Sequence, residues 1–257
     1  ASALMERAGM DLVLAHSPHN TAYLADHQWH MFRRGSVFEE MPFGSFVGLA
    51  RDRDKGAFYV GLADDTEADY NQLWIKNRRF PGYAPSSARR AAALCEAIQE
   101  LGLDRSTIGV ELSFLPVAVH EGLKAGLPEA TFVEASPLLS ELRMRKSAEE
   151  LDRLRQSGRI TEMAFKAVIG NIREGVTGVD LERVASTLIA SHGGRLRWFL
   201  IGYGGVLPGG SPEFPRSIPI RKGDVIRLDC GGSYMGYLTD MRRSISFGTP
   251  SQAVRGM

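Results

Sequence analysis

An α/β layered domain followed by a region of long helices and then strands is the architecture the sequence predicts. Two observations carry it. Strand-like and helix-like runs alternate from Asp11 to Ala135, and that alternation is the signature of helices layered on a sheet. Beyond them, Ser147-x-x-Glu150 has the form of a capping box, opening a helical stretch that a second one follows before β-rich sequence returns.

The elements follow in order. A helix ends at Gly9, Asp11 to Ala15 reads as a short strand, and Ser17-Pro18-His19-Asn20 breaks the chain before a new segment, Thr21 to Ala25. Phe46 to Ala50 and Ala57 to Val60 alternate as strands joined through the charged turn Arg51 to Lys55. Ser87 to Leu101 places Ala91, Leu94, Cys95, Ile98 and Leu101 at helical spacing, with Gly102 as its stop. Thr107 to Glu111 is a strand, Pro116 to Ala125 a helix with proline in its first turn, and Thr131 to Ala135 another strand. The helix opened by Ser147 runs to about Arg173, Gly175 to Gly178 separates it from a helix over Asp180 to Ser191, and Gly193-Gly194 ends that one.

The composition bounds the function. In 257 residues, 31 basic side chains face 30 acidic ones for a net charge of +1, so no field advertises a nucleic acid or an anionic membrane. No apolar run reaches bilayer length and no signal peptide opens the chain. Cys95 and Cys230 are the only cysteines, too few for a disulfide framework. A cytoplasmic protein with no nucleic-acid and no membrane partner is the expectation.

The chemistry concentrates between Arg221 and Ser244. Lys222-Gly223-Asp224 is turn sequence, Val225, Ile226 and Leu228 form a buried strand that ends at Gly231-Gly232, and Tyr237 to Phe247 is a second strand. A hairpin centred near Tyr234 sets Asp229 opposite Asp240, and opposed residues share a face. Two like charges so placed need a positive partner, which a divalent cation supplies with hard oxygen ligands. On spacing alone a plain reading stays open, with Asp229 as a turn former and Asp240 facing solvent.

The pattern Gly223-Asp224, Asp229-x-Gly231, Gly236-Tyr237, Asp240-x-x-Arg243 resembles the signature of the pita-bread metallohydrolases, which include prolidase, aminopeptidase P, methionine aminopeptidase and creatinase. The opening Gly9-x-Asp11-Leu-Val-Leu, then Ser17-Pro-x-Asn20-x-x-Tyr23-Leu24, resembles the amino-terminal domain of creatinase and prolidase. Leu138 to Ser147 is similar to that family's domain junction. The resemblance implies an α/β amino-terminal domain over residues 1–140 and an α+β pita-bread domain over 141–257, incomplete at its carboxyl end. It implies Asp229 and Asp240 as ligands of a two-metal centre of Mn, Co, Zn or Fe, with Arg243 supporting the site. It further implies hydrolysis of an amide bond next to proline, a small peptide or amide substrate, and a homodimer.

Two departures qualify the resemblance. The family's further ligands, a histidine and two glutamates, lie downstream of the hairpin, whereas Met241 to Met257 contains no His, Asp or Glu. The chain by itself is therefore expected to be inactive, with an empty or partial metal site. The family also carries an upstream histidine, and its place here falls at Pro212, within Ser211 to Pro215, with no histidine after His192. Another donor such as Arg216 or Glu213, absent residues, or a different chemistry would each account for this. A creatinase-like hydrolase of small amides or amidines and an inactive pita-bread binding protein are thus the rivals.

Other residues have weaker claims. His27, Trp29, His30, Phe32, Arg33 and Arg34 lie where the relatives extend a loop toward a neighbouring subunit's site. His30, Arg33 and Arg34 are candidate substrate contacts, the arginines for a substrate carboxylate, against a solvated loop packed on its own domain. His16 and His19 receive no role. Cys230 faces away from Asp229 and reads as packing, while Trp198, Phe199 and Tyr203 read as core or pocket wall.

Overall fold

A computed structural model describes residues 1–26, 45–61, 73–82, 85–204, 214–250 and 252. The chain divides into two compact units, Ala1–Arg145 and Lys146–Met257.

The first unit is a mixed six-stranded sheet with helices on both faces. Its elements are α1 (Ser2–Arg7), β1 (Leu12–Ala15), α2 (Pro18–Ala25), β2 (Phe46–Ala50), β3 (Ala57–Val60), β4 (Asn77–Arg79), α3 (Ser87–Glu100), β5 (Thr107–Val110), α4 (Val117–Gly126), β6 (Thr131–Glu134) and α5 (Ser136–Met144). The strand order is β4-β3-β2-β1-β5-β6. β1, β5 and β6 run parallel, while β2 pairs antiparallel with both β1 and β3. Because side chains alternate along β1, Leu12 and Leu14 join Leu94, Ile98 and Leu123 in one core, and Val13 joins Met5, Leu138 and Leu139 in another. Where α3 meets α4, a Cβ on Gly126 would stand 2.5 Å from the Cys95 sulfur. Glycine there permits the close approach of the two helices.

The start of α2 differs from expectation. Ser17-Pro18 is not a break before a later segment but the helix start itself, with Ser17 as N-cap and Pro18 in the first turn. The physical reason lies 91 to 95 residues away, in Glu111. Its carboxylate accepts the amides of His16 (2.6 Å) and Ser17 (2.9 Å) and the Asn20 side-chain amide (2.7 Å). A buried anion thus satisfies donors at the helix start that would otherwise be left unpaired.

The second unit contains α6 (Ala148–Gly170), α7 (Gly178–Ser191), β7 (Arg195–Gly202), β8 (Val225–Tyr234), β9 (Tyr237–Leu238) and β10 (Met241–Ser246). The capping box at Ser147 is present with both hydrogen bonds, and Thr177 with Asp180 forms a second one at α7. The sheet order is β10-β8-β7, with β9 continuing on β8. Ile160, Ala164 and Phe165 of α6 and Leu181, Ala185 and Ile189 of α7 bury Phe199, Ile201, Ile226, Leu228 and Cys230 on one sheet face. The strand expected from Tyr237 to Phe247 is interrupted at Thr239-Asp240, and β4 and the extent of β7 were not foreseen. No described helix is long and apolar enough to cross a membrane.

Candidate functional site

The β8 hairpin turns through Met235-Gly236, both at positive φ (47° and 80°). This is the two-residue loop whose twist matches antiparallel strands. Tyr234 pairs with Tyr237, Ser233 with Leu238, Cys230 with Met241 and Asp229 with Arg242. The hairpin is therefore centred one residue later than expected, and every partner moves by two. Asp229 does not face Asp240 directly. Asp240 instead falls across from Gly231, one step along from the Thr239 amide that donates to the Gly232 carbonyl at 2.9 Å.

A two-residue shift preserves the face. Asp240 and Arg242 alternate to the same side, so Asp229 and Asp240 are diagonal neighbours on one face, roughly 7–8 Å apart at the backbone. That side is opposite the α6/α7 core. Asp240 is exposed and Asp229 half-buried.

The intervening residues enforce this polarity. Thr239 points to the helix side, where its hydroxyl lies 2.7 Å from that of fully buried Thr161 on α6 and also donates to the Gly232 carbonyl at 3.3 Å. A Cβ on Gly232 would come within 2.5 Å of Thr161 Oγ1. With Thr239 anchored inward, the next side chain, Asp240, must project outward.

On the outward side the Trp198 indole N–H donates to Asp229 Oδ1 at 2.9 Å. Trp198 pairs with Gly231 across β7 and β8, and a Cβ on Gly231 would stand 2.2 Å from the indole ring. Trp198 was expected only as core or pocket wall. Its partnership with Asp229 spans 31 residues and depends on a strand pairing that no local motif encodes.

Arg243 goes elsewhere. It pairs with Leu228 on the helix side, and its guanidinium lies 5.8 Å from the centre of the Phe165 ring on α6. The structure thus does not bring Arg243 beside the aspartates. It supports the hairpin from behind. Cys230 also faces the helices, where burial, and then the charge of adjacent Asp229, push its thiol up to about 12. That protonated, buried thiol is packing. His30, Arg33, Arg34 and Glu213 lie outside the described residues. Arg216 lies in the segment before β8, where its carbonyl accepts the Tyr203 hydroxyl at 3.2 Å.

The two carboxylates fit the oxygen side of a divalent-cation site. Among the described residues the Trp198 indole is the one hydrogen-bond donor to the Asp229 carboxylate, and Arg242, the ladder partner of Asp229 on the same face, makes no ion pair with it. No group of three or more His, Cys, Asp or Glu able to hold a metal forms among the described residues, so the pair makes only part of such a site.

Comparison with known proteins finds matches over both units. Residues 1–145 match the model of the creatinase/prolidase N-terminal domain, and residues 152–256 that of metallopeptidase family M24. A creatinase from Bacillus sp. is 24% identical over 251 residues, covering 94% of this chain and 57% of its own length. An Xaa-Pro dipeptidase from Lactobacillus helveticus is 25% identical over 217 residues, covering 83% of this chain and 58% of its own. Among solved structures, an Xaa-Pro dipeptidase from Bacillus anthracis shares the fold with a TM-score of 0.76 at 22% identity, over 99% of this chain and 65% of its own. The chain thus spans about three-fifths of the length of these relatives.

Proposed function

The chain belongs to metallopeptidase family M24, with the creatinase/prolidase N-terminal domain before it, and from that premise we propose a metal-dependent hydrolase that cleaves the amide bond preceding proline in small peptides. The observation that carries this reading is the placement of Asp229 and Asp240 on one face of the hairpin, opposite the core and with no cationic side chain bonded to Asp229 among the described residues. A bound pair of divalent ions would supply Lewis-acid polarisation of the scissile carbonyl and a reactive water near neutral pH.

This chain's own residues have simpler tasks. Asp229 and Asp240 offer oxygen donors, Trp198 holds one of those oxygens, and the Thr161–Thr239 contact fixes which way the second aspartate projects. Remaining ligands and a general base are to be sought beyond the described residues. Arg33 or Arg34, with His30, would contact a substrate carboxylate, and a dimer would bring that loop to a neighbouring site.

The test is hydrolysis of Xaa-Pro dipeptides by the intact protein with added Mn or Co, alongside Asp229→Asn and Asp240→Asn. Activity that needs metal and falls at least a hundredfold in both variants is expected. Bound metal without turnover of any Xaa-Pro peptide would remove the peptidase reading. A second reading, a creatinase-like hydrolase of small amides or amidines, is favoured by the lack of a histidine between His192 and Asp229. Turnover of such compounds in place of dipeptides would select it.

A further inference from the structure

We propose that Trp198 is a positioning residue for Asp229, and that its indole N–H sets how tightly the aspartate pair holds a divalent cation; the proposal rests on the metallohydrolase reading above. Three observations support it. The first is the 2.9 Å bond from Nε1 to Oδ1 of Asp229, which leaves the second carboxylate oxygen to face a cation. Hydrogen bonds of this kind fix the orientation of a ligating carboxylate before the ion arrives.

The second is the seat provided for the ring. Trp198 and Gly231 are ladder partners, and any side chain at 231 would occupy the volume of the indole. By the register on either side of it, Asp240 falls across from that same glycine in the other neighbouring strand. The glycine of the Asp229-x-Gly231 pattern is thereby explained as the open place on the sheet face over which the indole ring lies.

The third is charge. A bonded arginine or lysine would neutralise the carboxylate and compete with the metal, and Arg242, the ladder partner of Asp229 on the same face, makes no ion pair with it among the described residues. Indole donates one hydrogen bond and carries no charge. It orients the ligand while leaving its negative charge available.

The experiment is calorimetric titration of Co²⁺ into the intact protein, comparing wild type, Trp198→Phe and Asp229→Asn, with the visible absorption of the bound Co²⁺ recorded in parallel. Trp198→Phe keeps an aromatic ring and loses the donor. We expect Co²⁺ affinity to fall roughly 10- to 100-fold, the range for lost partners of metal ligands, with a changed visible band, while Asp229→Asn abolishes binding. Wild-type affinity and an unchanged band in Trp198→Phe, with binding lost in Asp229→Asn, would overturn the role of Trp198 and leave the metal reading standing. A wild type that binds no Co²⁺ would overturn both.

Should Trp198→Phe fail to fold by circular dichroism, a protein carrying Trp29→Phe and Trp74→Phe, which keeps Trp198 as the one tryptophan of these 257 residues, serves instead. Co²⁺ is then expected to quench its emission at the calorimetric stoichiometry. Emission indifferent to bound Co²⁺ would overturn the proposal.

Discussion

The hydroxyls of Thr161 and Thr239 lie 2.7 Å apart, joining the middle of helix α6 to the residue that precedes Asp240. Thr161 is fully buried, so its hydroxyl cannot turn to water if the partner is lost. Replacement by valine keeps the shape and removes the donor. Thr161→Val is expected to cost about 1 kcal/mol, read as a lower urea midpoint. It should also weaken metal binding, because the Thr239 hydroxyl then keeps only its long 3.3 Å bond to the Gly232 carbonyl among the described residues, leaving the backbone bond from its amide to hold the residue in place.

A second prediction concerns acid. Burial drives the Glu111 carboxyl up, but bonds from Ser17, the His16 amide and Asn20 outweigh it and leave it below the usual carboxylate value. Burial also lowers the His16 imidazole, against the opposing effect of the Ser45 carbonyl and the charge of Glu111. Both groups hold fewer protons folded than unfolded, so both contribute stability that falls as pH falls. His16 begins to lose its share below about pH 6.5, and Glu111 below about pH 4.5. Glu111→Gln should lower stability by about 2 kcal/mol at pH 7 and flatten the acid limb below pH 4.5, measured by urea unfolding followed by circular dichroism.

A third concerns the tether between the hairpin and the start of α6. The Tyr237 hydroxyl donates to Glu150 Oε1 at 3.1 Å, and the other oxygen of the same carboxylate accepts the Ser147 amide at 2.7 Å. One glutamate thus caps a helix and ties down the hairpin. Tyr237→Phe should cost about 1 kcal/mol or less at this half-exposed position, whereas Glu150→Ala should cost more, since it removes both bonds. Thermal unfolding midpoints of the two variants distinguish a shared anchor from two independent contacts.

Much of this was legible in the residues themselves. The capping box at Ser147, the alternation of Val225, Ile226 and Leu228, and the spacing of the acidic pair each reflect local rules of helix starts and strands. Even the position of Arg243 was there to be found. An odd separation from Asp240 along an extended strand sends it to the other face. The centre of the hairpin was harder, because Met235 is a poor residue for positive φ and only Gly236 signalled the turn. Glu111 with the start of α2, and Trp198 with Asp229, depend on strands meeting across 31 to 95 residues. Such pairings follow from which sheet order buries the most apolar surface, and no short motif records that.

The pairing of β7 with β8 slips between Leu196 and Trp198, where one extra residue is inserted. Among the described residues β7 forms the border of its sheet, and a smooth border strand invites another chain to add itself through its backbone. An inserted residue kinks and coils that border, so an incoming strand would find amide and carbonyl groups out of step. The irregularity beside Trp198 therefore sets the backbone groups of this border out of step, and deleting Arg197 is expected to leave a more regular ribbon that accepts an added strand more readily.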